Sequence, residues 1–124
     1  MLREDYELRS TNELIESYFR IVYGIKPGQF YDVEQGLLQK DTVYPKVKTM
    51  LLDRKVNEAE DLLYEYASPE NELILKAGLL FYYHLNELTD DELEKAGFSR
   101  EEIKEGVQEF MRIYGQEGFS SVFQ

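Results

Sequence analysis

A tight turn between two helical patterns, in residues 43–67, constrains the fold of this chain more than any other feature. The apolar residues that repeat every three or four positions around it are Val47, Met50, Leu51, Ala59, Leu62, Leu63 and Tyr66. This spacing places them on one face of each of two short helices, which then pack against each other. The sequence therefore predicts an αα-hairpin, and with it an all-α fold.

Further helices are predicted on the N-terminal side of this turn and within the hairpin itself. The helices expected before residue 68 cover residues 3–23, 32–39, 43–54 and 57–67. Gly24 follows the first of them as a C′ residue, where a left-handed conformation favours glycine. Asp32 is the expected N-cap of the second helix, because its side chain can accept bonds from unpaired backbone amides, and Asn57 lies near the expected N-cap of the fourth helix.

The densest apolar pattern lies in residues 69–87, which we predict to be the fifth helix. Ser68 as N-cap and Pro69 at the first helical position favour a helix start there. The residues that repeat on its apolar face are Leu73, Ile74, Ala77, Leu80, Phe81, His84, Leu85 and Leu88. We therefore expect this helix at the centre of a compact bundle of six to seven helices.

Two capping boxes predict the last helices of the domain. Thr89 with Glu92, and Ser99 with Glu102, have the Ser/Thr-x-x-Glu spacing in which side chains and backbone amides satisfy each other. Gly115 then ends the last of these helices. The sequence thus predicts a single helical domain over residues 1–115 and a loose C-terminal tail over residues 116–124.

Charge and composition restrict the partners of this domain. The net charge is −11, and residues 57–105 hold fourteen acidic against four basic residues. Such a surface repels phosphate backbones, so we expect no nucleic acid partner. No apolar run approaches the ~18 residues of a membrane span, and the N-terminus lacks the order of a secretory signal. With no cysteine in the chain, we expect a cytoplasmic protein that does not bind membranes.

Several segments resemble known proteins. Val56–Leu63 is similar to the second helix of a TPR hairpin, so the predicted hairpin is TPR-like. Phe81–Asn86 and Phe98–Gly106, with Asp5-Tyr6 at the start of the first helix, resemble a family of short cytosolic Firmicutes proteins of unknown function. The resemblance covers most of residues 3–115. It implies an all-helical fold and supplies no catalytic residues.

Candidate chemistry is limited to His84, the only histidine. It falls on the apolar face of the fifth helix, with Glu87 three positions on. One histidine and one carboxylate do not complete a zinc or iron site, which needs three or four ligands, so we predict no metal site. Nucleotide-binding and serine-nucleophile motifs are absent from the sequence, and we predict no cofactor.

Tyrosine is the residue type that points to binding. The chain has ten tyrosines and no tryptophan, and four of the tyrosines are Tyr64, Tyr66, Tyr82 and Tyr83 on the fourth and fifth helices. Tyrosine combines an apolar ring with a polar tip, so it serves both interfaces and the margins of a core. Their helical spacing favours the core margin, and the alternative is a recognition groove whose candidate binding residues are these four tyrosines and His84.

Three functions remain open on the sequence alone. The first is a non-enzymatic helical module that binds another protein. The second is a small-ligand-binding protein or enzyme with a pocket near His84, and the third is a structural homo-oligomer. A homodimer through the first helix is one form of self-association, because Ile15, Tyr18, Phe19 and Val22 form an aromatic stripe that can pair with itself.

Overall fold

The computed structural model has the predicted all-α architecture. It describes residues 2–121, with the side chains of residues 5–119, and residues 122–124 of the predicted tail lie outside this range. Within the described range there is no strand. The eight α-helices in that range are α1 (Leu2–Tyr23), α2 (Phe30–Lys40), α3 (Tyr44–Leu52), α4 (Val56–Tyr66), α5 (Glu72–Leu85), α6 (Asp90–Lys95), α7 (Arg100–Ile113) and α8 (Glu117–Ser121). None of these described helices has the combination of length and apolarity that would let it cross a bilayer.

Helix α5 is the centre of the bundle, as predicted. It packs against α1, α2, α3, α4 and α7. Nine of its residues are buried, around most of its circumference. The less buried residues, among them Lys76, Tyr83 and His84, lie on the remaining side. A helix with so wide an apolar surface is stable only when several neighbours cover it. The α3–α4 hairpin lies on one side of α5, and α1 and α7 lie against each other as well as against α5.

The close contact between α5 and α7 depends on two glycines. A Cβ atom placed on Gly78 of α5 would lie 2.3 Å from the ring of Phe110, and one placed on Gly106 of α7 would lie 2.6 Å from the ring of Tyr82. Each helix therefore presents a glycine to a large aromatic side chain of the other. The rings fill the space that any larger residue at these two positions would need.

The predicted start of the fifth helix is wrong by three residues. Ser68 and Pro69 belong to a turn in which the Asn71 amide donates to the Ser68 carbonyl at 2.9 Å. The N-cap is Asn71, whose side-chain oxygen accepts from the Ile74 amide. Its side-chain nitrogen also donates to the Tyr66 carbonyl at 3.1 Å. The Asn71 side chain thus bonds to the last residue of α4 and also caps α5. The Ser68-Pro69 pair gives no indication of this double role.

The predicted N-cap of the second helix is also wrong, and the fourth helix begins one residue earlier than expected. A 3-10 turn at Pro27–Gln29 runs directly into α2, so Asp32 lies in the first turn of that helix instead of capping it. Helix α4 begins at Val56, and Asn57 is its second residue. In the turn before α4, Arg54 adopts a left-handed conformation with φ +61°. The Lys55 amide then donates to the Met50 carbonyl in the preceding helix. In both places a backbone turn starts the helix before the polar side chain is reached.

The C-terminal third follows its capping signals. The Thr89 hydroxyl accepts from the Glu92 amide, and Glu92 accepts from the Thr89 amide, so this capping box is complete. The Ser99 hydroxyl accepts from the Glu102 amide at 3.1 Å. Beyond Gly115, part of the expected tail forms α8, where the ring of Phe119 meets that of Tyr18 edge-on at 5.1 Å.

Candidate functional site

The candidate binding residues occupy separate regions of the bundle. Tyr64 and Tyr82 come together where α4, α5 and α7 meet, with their hydroxyl oxygens 3.4 Å apart. Tyr82 is fully buried and donates to Glu60 at 2.6 Å. Burial, and then the charge of Glu60, raise the pKa of Tyr82 well above its usual range. Tyr82 is therefore part of the core, the use that helical spacing favours for these tyrosines, and not of an exposed binding surface.

The other predicted residues lie elsewhere. Tyr83 faces α1, where its hydroxyl donates to Glu16 at 2.5 Å, and its ring meets that of Phe30 edge-on. Tyr66, near the end of α4, is exposed. His84 faces α2. The five predicted residues therefore do not form one recognition surface around Tyr82.

Four tyrosine hydroxyls donate to glutamate side chains on a neighbouring helix, and two of these tyrosines are candidate binding residues. The four pairs are Tyr23–Glu72, Tyr44–Glu34, Tyr82–Glu60 and Tyr83–Glu16. Each hydroxyl donates to a carboxylate at 2.5 to 2.6 Å, which is short for a neutral donor. The partners lie 10 to 67 residues apart in the chain. No local sequence signal marks such pairs, so sequence reasoning could count the tyrosines but could not assign their partners.

Glu34 is the centre of a polar cluster that joins α2, α3 and α5. One of its oxygens accepts from the Tyr44 hydroxyl at 2.6 Å, from the Lys48 amine at 2.6 Å and from His84 Nε2 at 3.1 Å. Burial raises the pKa of Glu34, but the hydrogen bonds from His84, Lys48 and Tyr44 outweigh burial and lower that pKa to about 2. The carboxylate is therefore charged at neutral pH, and its Oε2 atom faces all three donors.

His84 is held between two carboxylates. Its Nε2 faces Glu34, and its Nδ1 lies 2.9 Å from an oxygen of Glu87. A neutral imidazole has only one N–H to donate, so this arrangement is best satisfied by the imidazolium ion. The hydrogen bond to Glu34 raises the pKa of His84, burial lowers it, and the bond to Glu87 adds to the increase. With both nitrogens engaged, the ring has no lone pair available to act as a base.

A groove lies between α2 and the first half of α5. It has a volume of about 220 Å³. Its lining residues are Ile25, Asp32, Val33, Gly36, Leu37, Lys40, Leu73 and Lys76. Nothing lies within 4 Å of a Cβ placed on Gly36, so the absence of a side chain there deepens the groove.

The end of α1 positions one wall of this groove. Gly24, at φ +68°, donates to the Arg20 carbonyl, and the amide of Ile25 donates to the Phe19 carbonyl, both at 3.0 Å. These bonds terminate α1 and turn Ile25 toward α2. On the α5 wall, the Lys76 amine lies 4.5 Å from the centre of the Tyr23 ring. This cation–π contact holds the lysine beside the groove.

Metal ligation has no site in the described part of the chain. No group of three His, Cys, Asp or Glu side chains there has the geometry to hold a metal ion.

The structure also has an acidic cleft of about 530 Å³ between α6 and α7, which buried Arg100 lines together with Asp90, Asp91 and Glu94. Arg100 bonds to Asp90 at 2.9 Å, and Lys95 bonds to Asp91 at 3.1 Å.

Comparison with protein-family models identifies the family to which the chain belongs. Residues 1–115 match the model of a family of unknown function (DUF6483), and the chain belongs to that family. The match includes every residue of the groove and of the Glu34 cluster. Neither the curated proteins nor the solved structures contain a match to this chain.

Proposed function

We propose that this protein is a non-enzymatic helical module that binds another protein through the groove between α2 and α5. The observation that carries the proposal is the apolar lining of that groove, in which Val33 and Leu73 remain partly exposed beside the open space at Gly36. Leu73 is 37% exposed, although it lies on the central helix of the bundle. A large apolar side chain left open beside a concavity is typical of a binding site for a partner.

Two further features support a binding role. The α3–α4 hairpin resembles a TPR unit, with buried Ala59 at its close contact, and TPR-type hairpins commonly serve as binding scaffolds. The alternative of an enzyme that uses His84 has less support, because both nitrogens of that ring face carboxylates. The absence of cysteine fits a cytoplasmic module.

The test is to fill the groove without disturbing the fold. Gly36→Gln places a polar, helix-favouring side chain in the open space, and we expect it to abolish capture of partners from a native lysate by the tagged protein. Gly118→Gln is the matched control, because Gly118 is also a helical surface glycine with open space around it. Equal capture by both variants would end the proposal that the groove is the binding site.

Self-association is a second proposal, supported by a different surface. Ile15, Tyr18 and Phe19 of the predicted dimer stripe are buried in the core of the monomer. Ile21 and Val22, at 65% and 46% exposed, are apolar residues in the last turn of α1 that a second copy can reach. If they form a homodimer, light scattering will show a dimer mass that Ile21→Glu converts to a monomer mass. A monomer mass for the unchanged protein would exclude this dimer.

A further inference from the structure

We infer that the occupant of the α2–α5 groove is an acidic amphipathic helix of a partner protein. It would insert apolar side chains between Val33, Leu37 and Leu73 and place carboxylates beside Lys40 and Lys76. The inference rests on the proposed function, since it specifies the chemistry of the partner at that site. Its two parts, the shape of the occupant and the sign of its charge, come from separate observations.

The shape follows from the two walls. Both are α-helices, and a third helix can lie in the depression between two helices with its side chains interdigitated. Gly36 lowers the surface of α2 at the middle of the depression, so the backbone of the occupant can approach closely there. Apolar anchors at positions i and i+4 of a helix reach the floor from one face.

The charge of the groove is opposite to that of the rest of the chain. Its lining includes two lysines and one acid, Asp32, whereas the whole chain has a net charge of −11. Lys40 is exposed, and it lies eight residues beyond Asp32 on α2, so the two are about 12 Å apart. Lys40 and Lys76 therefore form the positive part of the groove. This positive region is complementary to a carboxylate-bearing segment.

Repulsion from the acidic surface does not prevent such binding. At physiological ionic strength, exposed charges more than about 8 Å apart are largely screened. All but one of the fourteen acids of residues 57–105 lie outside α5, on other helices or their connections. The exception is Glu72, four residues before Lys76, and its carboxylate accepts a hydrogen bond from the Tyr23 hydroxyl. Lysines in direct contact with the occupant thus dominate the local interaction, and the distant acids mainly disfavour long-range attraction.

The experiment is a display selection with a library of helical peptides against the full-length chain. The library varies apolar, acidic and basic residues without bias. We expect enriched peptides to carry two apolar residues at i and i+4 flanked by Asp or Glu, and to lose binding to Gly36→Gln. Binding of these peptides by Lys40→Glu/Lys76→Glu should weaken about tenfold or more, and binding by Lys95→Glu, a control on α6, should not change.

The outcomes separate the inference from the proposed function. Enriched peptides that are basic or neutral, and that Gly36→Gln still excludes, would overturn the acidic occupant and leave the groove as a binding site. No enrichment, or binding that Gly36→Gln does not affect, would overturn both. Circular dichroism and thermal unfolding of each variant establish that it is folded, so a loss of binding reports on the groove.

Discussion

His84 Nε2 lies 3.1 Å from a carboxylate oxygen of Glu34, although the two residues are 50 positions apart in the chain. The contact joins α5 to α2, and the same glutamate oxygen binds Lys48 and Tyr44 of α3. Three helices therefore meet on one buried carboxylate. Because α2 and α5 are also the walls of the groove, this cluster fixes the separation of those walls.

The first prediction concerns the pH dependence of stability. The pKa of His84 in the folded protein is raised above 6.5, so its contribution is complete below pH 6.5 and is lost as the pH rises through the folded-state pKa. The stability advantage of the native protein over His84→Gln should therefore shrink as the pH rises above 6.5 and through the folded-state pKa. Urea unfolding of both proteins measures it. An advantage that grows with pH would contradict the imidazolium assignment.

The second prediction concerns the partner of that histidine. Glu34→Gln replaces a charged acceptor by a neutral one, so we expect a loss of about 2 kcal/mol in the free energy of unfolding. It should also lower the pKa of His84, which NMR can follow directly because the chain has one histidine. Glu87→Gln is the control, since the Glu87 side chain is 60% exposed and should change both quantities less. An unchanged His84 pKa in Glu34→Gln would refute the coupling.

The third prediction contrasts glycines in helices. Gly→Ala in an exposed helix interior stabilises by about 1 kcal/mol, and Gly36→Ala should do so because its surroundings are open. Gly78→Ala and Gly106→Ala should instead destabilise by about 1–3 kcal/mol, since each new Cβ would overlap an aromatic ring. Chemical denaturation of the three variants measures the sign. If Gly78→Ala is stabilising, the α5–α7 contact is looser than the structure shows.

The fourth prediction concerns the buried guanidinium of Arg100. It donates to the backbone and side-chain oxygens of Asn86, to the Leu88 carbonyl and to Asp90, at 2.7 to 3.1 Å. Lysine cannot reproduce this planar set of bonds, so Arg100→Lys should cost about 2–3 kcal/mol through unsatisfied buried acceptors. Arg112→Lys, on the exposed face of the same helix, should leave thermal stability nearly unchanged. A similar loss in the two variants would show that Arg100 contributes no more than a surface charge.

Local signals in the sequence predicted some helix boundaries and missed others. Gly24, Thr89 and Gly115 mark helix ends correctly, because a glycine C′ residue or a capping box satisfies backbone groups within a few residues. Ser68-Pro69 failed because Asn71 provides a competing cap that also bonds back to α4. The choice between two adequate caps depends on the position of the preceding helix, which is a tertiary property.

The sequence by itself determined the all-α class, the hairpin and the central position of α5. These features follow from the periodicity of apolar residues. The free energy gained by burying apolar surface depends on the buried area and hardly on which side chains cover it. The tertiary structure alone decided which tyrosine meets which glutamate, how His84 joins α2, and where Gly36 opens a groove. Such features need donors, acceptors or empty space at distances of a few ångströms between distant parts of the chain, and only the packed arrangement of the helices sets those distances.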